Sequence, residues 1–157
     1  MAYLLQPLLS IRKMREDRAA GELTAARRAV HDAEETLEAR KKELADFEKT
    51  KDERRDRIYD AIMGHPVTRE QIDLANEGVA RIDQEEALRT DNMHRADADL
   101  KEREKAADAA RAVFAEATRN RMKIDEHKAV WNAAEALDAE RRAEGELEDF
   151  TVRKLEL

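Results

Sequence analysis

The stretch Gly64-His65-Pro66-Val67-Thr68-Arg69-Glu70-Gln71 decides the fold, because it contains one signal that ends a helix and another that begins one. Gly64 can adopt the left-handed conformation that closes a helix, and Pro66 cannot continue it. Thr68 and Gln71 have the spacing of a capping box, in which each side chain bonds the backbone N–H of the other residue at a helix start. The sequence therefore predicts two helices joined by a turn at this point.

Apolar residues recur at heptad spacing on both sides of the turn, which is typical of a coiled coil. The first arm contains the series Leu9, Glu16, Leu23, Val30, Leu37, Leu44, Lys51 and Ile58, and, three residues further on, Arg12, Ala19, Ala26, Ala33, Arg40, Phe47, Arg54 and Ala61. The second arm contains Ile72, Val79, Glu86, Met93, Leu100, Ala107, Phe114 and Arg121, with Ala75, Ile82, Arg89, Ala96, Arg103, Ala110, Ala117, Ile124 and Trp131. These positions define the predicted seam between the arms.

A connection this short forces the two arms to lie antiparallel. That arrangement places large residues opposite small ones, such as Leu37 near Ala96 and Ala19 near Phe114, which favours packing within one chain. The fold class predicted is all-α, a long antiparallel two-helix coiled-coil hairpin. We expect a single domain over 1–157, with helix one at about 7–62, a turn at 63–67 and helix two at about 68–150.

Composition argues against several classes of function. The chain is 43% charged and 4% aromatic, which is too few aromatic residues to build a substrate pocket. Its net charge is −7, whereas nucleic-acid binding needs a basic stripe, so we expect no nucleic acid as a partner. The apolar opening is interrupted by Arg12 and Lys13, so no membrane span is predicted there. Because the chain has no cysteine, disulfides and thiolate sites are excluded, and the cytoplasm is the expected location.

Residues that could carry chemistry do not form a recognisable site. The four histidines never pair at a spacing that ligates metal along a helix, and no Gly-rich phosphate loop occurs. We therefore expect no catalytic residue, no cofactor and no metal site. Trp131 lies near the point where the first arm is exhausted, so it either caps the seam or contacts a partner.

The stretch Leu8-Leu9-Ser10-Ile11-Arg12-Lys13-Met14-Arg15-Glu16-Asp17-Arg18-Ala19 resembles the start of the type III secretion stalk proteins, the YscO/SctO group related to flagellar FliJ. In that family a Leu-Leu-x-Ile-Arg-x-x-Arg-Glu-x-x-Ala pattern opens the first helix. The two-arm layout and the acidic close Glu146-Leu147-Glu148-Asp149 look similar as well.

The resemblance implies a non-enzymatic central stalk that links a hexameric secretion ATPase to an export gate protein and stimulates ATPase assembly or activity. It also implies translocator chaperones as further partners, and a place in the cytoplasm peripheral to the membrane-embedded export apparatus. Through the matching motif, the candidate ATPase contacts are Leu8, Leu9, Ile11, Arg12, Arg15 and Glu16. For Leu9 the alternative is that it only packs on Ile124 inside the hairpin.

Two further interpretations stay open at this level. One is a generic coiled-coil scaffold or chaperone-binding protein, although a prefoldin-like clamp would need β-hairpins that the turn region does not predict. The other, an enzyme or a nucleic-acid binder, has the least support from the residues.

Overall fold

The computed structural model describes the backbone of residues 2–155 and the side chains of residues 2–148. Its elements are helix α1, Gln6–Asp60, and helix α2, Arg69–Leu155, which form a helical hairpin with no strand among the described residues. The predicted all-α hairpin is confirmed. The side chain of Asp149, part of the predicted acidic close, lies outside the described residues.

The turn between the helices has the predicted chemistry. Gly64 has a φ of 83°, in the left-handed region that glycine adopts without strain. At the start of α2 the backbone N–H of Gln71 donates to Thr68 Oγ1 at 3.3 Å, and the backbone N–H of Thr68 donates to Gln71 Oε1 at 2.8 Å. Each side chain satisfies a donor that the helix end leaves unpaired, so the capping box is confirmed.

Burial follows the predicted seam. The buried apolar residues are Tyr3, Leu9, Ala19, Leu23, Ala33, Leu37, Phe47, Ala75, Ile82, Ala96 and Ala107, and all of them except Tyr3 occupy seam positions. The seam prediction is wrong at Ala61, Ile72, Arg54 and Arg103, which are exposed. Ala61 follows the end of α1, Arg54 reaches across to Glu85 of α2, and Arg103 bonds Asp99 on its own helix.

The chain divides into two compact units, each built from segments of both helices. Unit 1 comprises Met1–Leu23 and Ala109–Leu157, and unit 2 comprises Thr24–Asp108. The single-domain organisation stays a prediction.

Unit 2 interrupts its apolar seam with a cluster of ion pairs. Lys51 Nζ donates to Glu86 Oε1 at 2.6 Å, and Arg54 Nη1 donates to Glu85 Oε2 at 2.9 Å. Arg89 Nη2 donates to the other oxygen of Glu85 at 2.6 Å. The hydrogen bonds from Arg89 and Arg54 hold the pKa of the Glu85 carboxyl below its usual value. This carboxylate is therefore stabilised in its charged form by both helices.

Phe47 packs against two arginines of this cluster and is 5% exposed. The guanidinium carbon of Arg89 is 4.9 Å from the centre of its ring, and that of Arg54 is 5.5 Å away. Both distances are within the range of cation–π attraction. The ring thus packs in the seam while its faces hold the two arginines that bind Glu85.

No helix in the described part of the chain is long and apolar enough to cross a membrane.

Candidate protein-binding groove

Unit 1 is closed at one end by an aromatic contact between the segment before α1 and the middle of α2. The ring centres of Tyr3 and Trp131 are 5.4 Å apart, with planes inclined at 52°, and Tyr3 is buried. The Tyr3 hydroxyl and His127 Nδ1 lie 2.7 Å apart, a hydrogen-bond distance. Lys128 Nζ donates to Gln6 Oε1 at 2.7 Å. These contacts fix the start of α1 against α2.

A polar network further along unit 1 sets the register of the two helices. Thr118 Oγ1 donates to Glu16 Oε1 at 2.9 Å, and Arg121 Nε donates to Glu16 Oε2. Arg121 also donates to Asp125, one turn further on in α2. The hydrogen bonds to Glu16 and Asp125 raise the pKa of the Arg121 guanidinium above its ordinary value. Glu16 therefore acts as an acceptor within the hairpin, on the inner face of α1.

A groove of about 420 Å³ runs along unit 1 beside this network. Its α1 wall is formed by Arg12, Arg15, Arg18, Ala19 and Glu22, and its α2 wall by Val113, Glu116, Ala117 and Asn120. Residues spaced three or four apart share one face of a helix, so each wall is a single stripe. The small side chains of Ala19 and Ala117 leave the space between the stripes open.

The charges of the groove are only partly neutralised within unit 1. Arg18 Nε donates to Glu22 Oε1 at 3.0 Å, which forms one ion pair along α1. Arg12 Nε is shielded from solvent and has no hydrogen-bond acceptor among the described residues. Arg15 is exposed and forms no ion pair with any residue that the structure describes. Two arginines of the groove therefore keep an unneutralised positive charge in a chain whose net charge is −7.

The six predicted ATPase contacts separate into inner and outer positions of α1. Leu9 is 1% exposed and belongs to the core, which is where the packing alternative places it. Glu16 is half-buried and bonded to α2. The residues left at least partly accessible on the outer stripe are Leu8, half-buried, Ile11, 42% exposed, Arg12, half-buried, and Arg15, exposed. A partner can reach these four side chains directly, whereas it could reach Leu9 only by opening the hairpin.

Trp131 is half-buried and packs on Tyr3. The contact with Tyr3 is compatible with the capping alternative, which stays a prediction. The suggested contact of Trp131 with a partner stays a prediction.

Sequence reasoning missed the second wall of the groove. Val113 and Asn120 lie outside the predicted seam positions, and their nearness to Arg15 and Arg18 depends on the exact register of α1 against α2. The chain alone contains one usable signal, the alanines at positions 19 and 117, since small residues on facing helices leave room between them. Tyr3 was also missed, because it precedes the heptads.

Among the described residues there is no group of three or more His, Cys, Asp or Glu side chains that could hold a metal ion. The groove holds charged and aliphatic groups without a nucleophile and base in contact, so its chemistry is that of binding.

The fold defines the chain as a two-helix hairpin protein with a charged groove along unit 1. A family model described as Type III secretion protein YscO matches residues 5–153. The chain therefore belongs to the YscO family of type III secretion proteins, which confirms the resemblance drawn from residues 8–19. Membership makes it a type III secretion-related protein.

A solved structure described as that of a candidate YscO homologue from Chlamydia trachomatis has the same fold. The TM-score is 0.72 at 22% sequence identity, and the alignment covers 99% of this chain and 94% of the other. At this identity the likeness is one of fold alone. No curated protein matches the chain.

Proposed function

We propose that this protein is a non-enzymatic stalk of a type III secretion system, which links the hexameric secretion ATPase to the export gate protein and stimulates ATPase assembly or activity. Its place would be in the cytoplasm, peripheral to the membrane-embedded export apparatus. The observation that carries the proposal is the outer stripe of α1 in unit 1. There the family motif leaves Ile11 and Arg15 exposed while Leu9, two residues before Ile11, is buried in the seam.

The physical argument concerns what the hairpin needs for its own packing. Leu9 supplies apolar burial and Glu16 supplies hydrogen bonds to α2, so both are used inside unit 1. Ile11 and Arg15 are used by neither. An exposed aliphatic side chain beside an unpaired arginine is a common composition for a protein contact, because arginine and apolar anchors are enriched in interface centres.

The dimensions of unit 1 support the same proposal. Each helix with its side chains is about 10–12 Å wide, so two packed helices are about 20 Å across. A contact module of this width suits insertion between the subunits of a ring, and it offers different residues on its different sides.

The test is a triple variant, Leu8→Ala, Ile11→Ala and Arg15→Ala. These side chains are at least partly accessible, so the helix content measured by circular dichroism should stay unchanged. Pull-down of the hexameric secretion ATPase should weaken, and the stimulation of ATP turnover by the protein should fall.

The matched control is Leu88→Ala with Arg28→Ala, which removes an exposed leucine and an exposed arginine from unit 2. The control should bind and stimulate as the unchanged protein does. If the folded triple variant also binds and stimulates normally, the ATPase assignment is wrong, and a generic scaffold or a chaperone-binding protein becomes the better explanation.

Unit 2 supplies exposed apolar residues for the second partner. Met63, Ile72 and Leu74 lie next to the turn and are each at least two-fifths exposed. We propose this group as the contact with the export gate protein. Met63→Ser with Leu74→Ser should weaken pull-down of the gate protein and leave ATPase binding unchanged. If this variant still captures the gate protein normally, the gate contact is removed from the proposal.

A further inference from the structure

We infer that the groove of unit 1 receives an acidic helical segment of a protein partner, with carboxylates against Arg12 and Arg15 and an aliphatic side chain against Val113 and Ala117. That this partner is the secretion ATPase rests on the proposed function. The chemistry of the groove is argued from its own residues and can be tested without the ATPase.

The charge of the groove selects the sign of the occupant. Its three arginines face two glutamates, and one of these glutamates, Glu22, already pairs with Arg18. Arg12 and Arg15 have no carboxylate partner in the described chain, so they are available to one from outside. Guanidinium groups bind carboxylates through two parallel hydrogen bonds, which gives the contact direction as well as strength.

The apolar side of the groove selects a folded segment over a free ion. Val113 is 52% exposed at the rim, and Ala19 and Ala117 form the floor. An occupant that covers these groups while it reaches both arginines must present an aliphatic side chain and carboxylates on one face. A helix does so with residues spaced three or four apart, in the helix-in-groove manner of recognition.

The contrast between the groove and the rest of the chain adds specificity. The chain has a net charge of −7, so its overall charge does not attract an acidic segment, and the attraction must come from local groups such as Arg12 and Arg15. The attraction should weaken as salt is added, since Arg15 is exposed and its charge is screened.

The probe is a capped, alanine-based helical peptide with three glutamates four residues apart and leucines beside them, carrying a fluorescent label. A matched peptide has glutamine in place of glutamate. Fluorescence anisotropy with the full chain should give binding at least about tenfold tighter for the glutamate peptide, because charge-assisted hydrogen bonds are about twice as strong as neutral ones. Equal binding of the two peptides would overturn the inference.

Two substitutions locate the binding site. Arg15→Glu should weaken the glutamate peptide by about tenfold or more, whereas Arg28→Glu, the same change at an exposed arginine of unit 2, should weaken it less than about twofold. Arg15→Lys keeps the positive charge but lacks the planar guanidinium that can form two parallel hydrogen bonds to a carboxylate. Its loss of peptide affinity should therefore lie between the losses of the two glutamate variants. If Arg15→Glu and Arg28→Glu behave alike, the peptide is attracted by general charge and the groove is not its site.

A membrane surface is tested as the competing occupant. If vesicles of phosphatidylglycerol bind the chain in an Arg15-dependent way and the glutamate peptide does not bind, the occupant is a lipid surface and the inference is wrong.

The outcomes separate this inference from the proposed function. If the triple variant loses the ATPase but the glutamate peptide never binds, the ATPase contact stands and the acidic occupant is wrong. If the peptide binds in the groove and the ATPase is never captured, the groove inference stands and the proposed function is wrong. A photocrosslinking residue at Val113 should link the ATPase through a segment rich in Asp or Glu, and crosslinks to a basic segment would contradict the inference.

Discussion

Phe47 offers a sharp test of how unit 2 is held together, because one ring supplies both apolar burial and a platform for two arginines. We consider Phe47→Ala. Removing a buried phenylalanine side chain costs about 3–5 kcal/mol in protein cores. Each arginine contact adds about 0.5–1 kcal/mol at a partly exposed site, and some of this sum is recovered when Arg54 and Arg89 move into the space. The expected loss in the free energy of unfolding is about 4–5 kcal/mol.

Two further variants separate the contributions. Phe47→Leu keeps most of the apolar burial and loses only the ring contacts, so it should cost about 1–2 kcal/mol. Phe114→Ala removes a half-buried aromatic residue of unit 1 that has no arginine over its ring among the described contacts, and it should cost less than Phe47→Ala.

Urea unfolding, followed by circular dichroism at 222 nm, measures all three variants. The reasoning would be refuted if Phe47→Ala cost no more than Phe114→Ala, since burial would then not set the energy. If Phe47→Leu cost as much stability as Phe47→Ala, the division into apolar burial and ring contacts would be wrong, because leucine would then recover none of the energy of apolar burial. A change in the slope of the free energy of unfolding against urea concentration would show altered compactness of the unfolded or folded state. The two-state assumption would then require a second spectroscopic probe.

The remaining predictions concern the turn, the exposed helix surface and pH. Gly64→Ala should lower stability by about 1–2 kcal/mol in thermal or urea unfolding, because an L-residue is strained at a φ of 83°. Gly21→Ala should raise stability by about 0.5–1 kcal/mol, since the added methyl group meets no atom within 4 Å beyond its neighbours and its own helix backbone, and alanine favours a helix. Glu85 has a lowered pKa through Arg89 and Arg54, so its contribution is present above the unfolded carboxyl value and is lost as pH falls through the folded one. The thermal midpoint of Glu85→Gln should therefore fall less between pH 6 and pH 3 than that of the unchanged protein; an equal fall would exclude this carboxylate as a source of acid sensitivity.

Local signals made the fold accessible from the sequence. Gly64 and the Thr68–Gln71 capping box act within a few residues of each other, so their outcome does not depend on distant parts of the chain. The seam could be predicted from the sequence for a related reason. Heptad spacing indicates which face of a helix is buried before its partner helix is known. Acid-before-base pairs such as Asp97 with Lys101, 2.7 Å apart in the structure, follow the same local rule.

The contacts between the helices required information that the heptads do not contain. Lys51 with Glu86, and Glu16 with Thr118 and Arg121, join residues whose nearness depends on register to within one residue. A slip of one heptad leaves the same apolar pattern in place, so periodicity alone cannot choose among registers. The polar residues within the seam can, because a misplaced Glu16 would lose two donors and stay half-buried without them.

The same dependence on register explains why the groove could not be foreseen, although two of its nine lining residues were among the candidate contacts. The motif at residues 8–19 included Arg12 and Arg15 among the candidate contacts, but it also included Leu9 and Glu16, which the hairpin uses for itself. Solvent accessibility distinguishes Arg12 and Arg15 from Leu9 and Glu16. It depends on which side of α1 is covered by α2. Once Glu16 is fixed against Thr118, the next face of α1 must present Arg12 and Arg15 beside the stripe of α2 that contains Val113. The polar contact that sets the register of unit 1 thus also assembles the surface on which we place its partner.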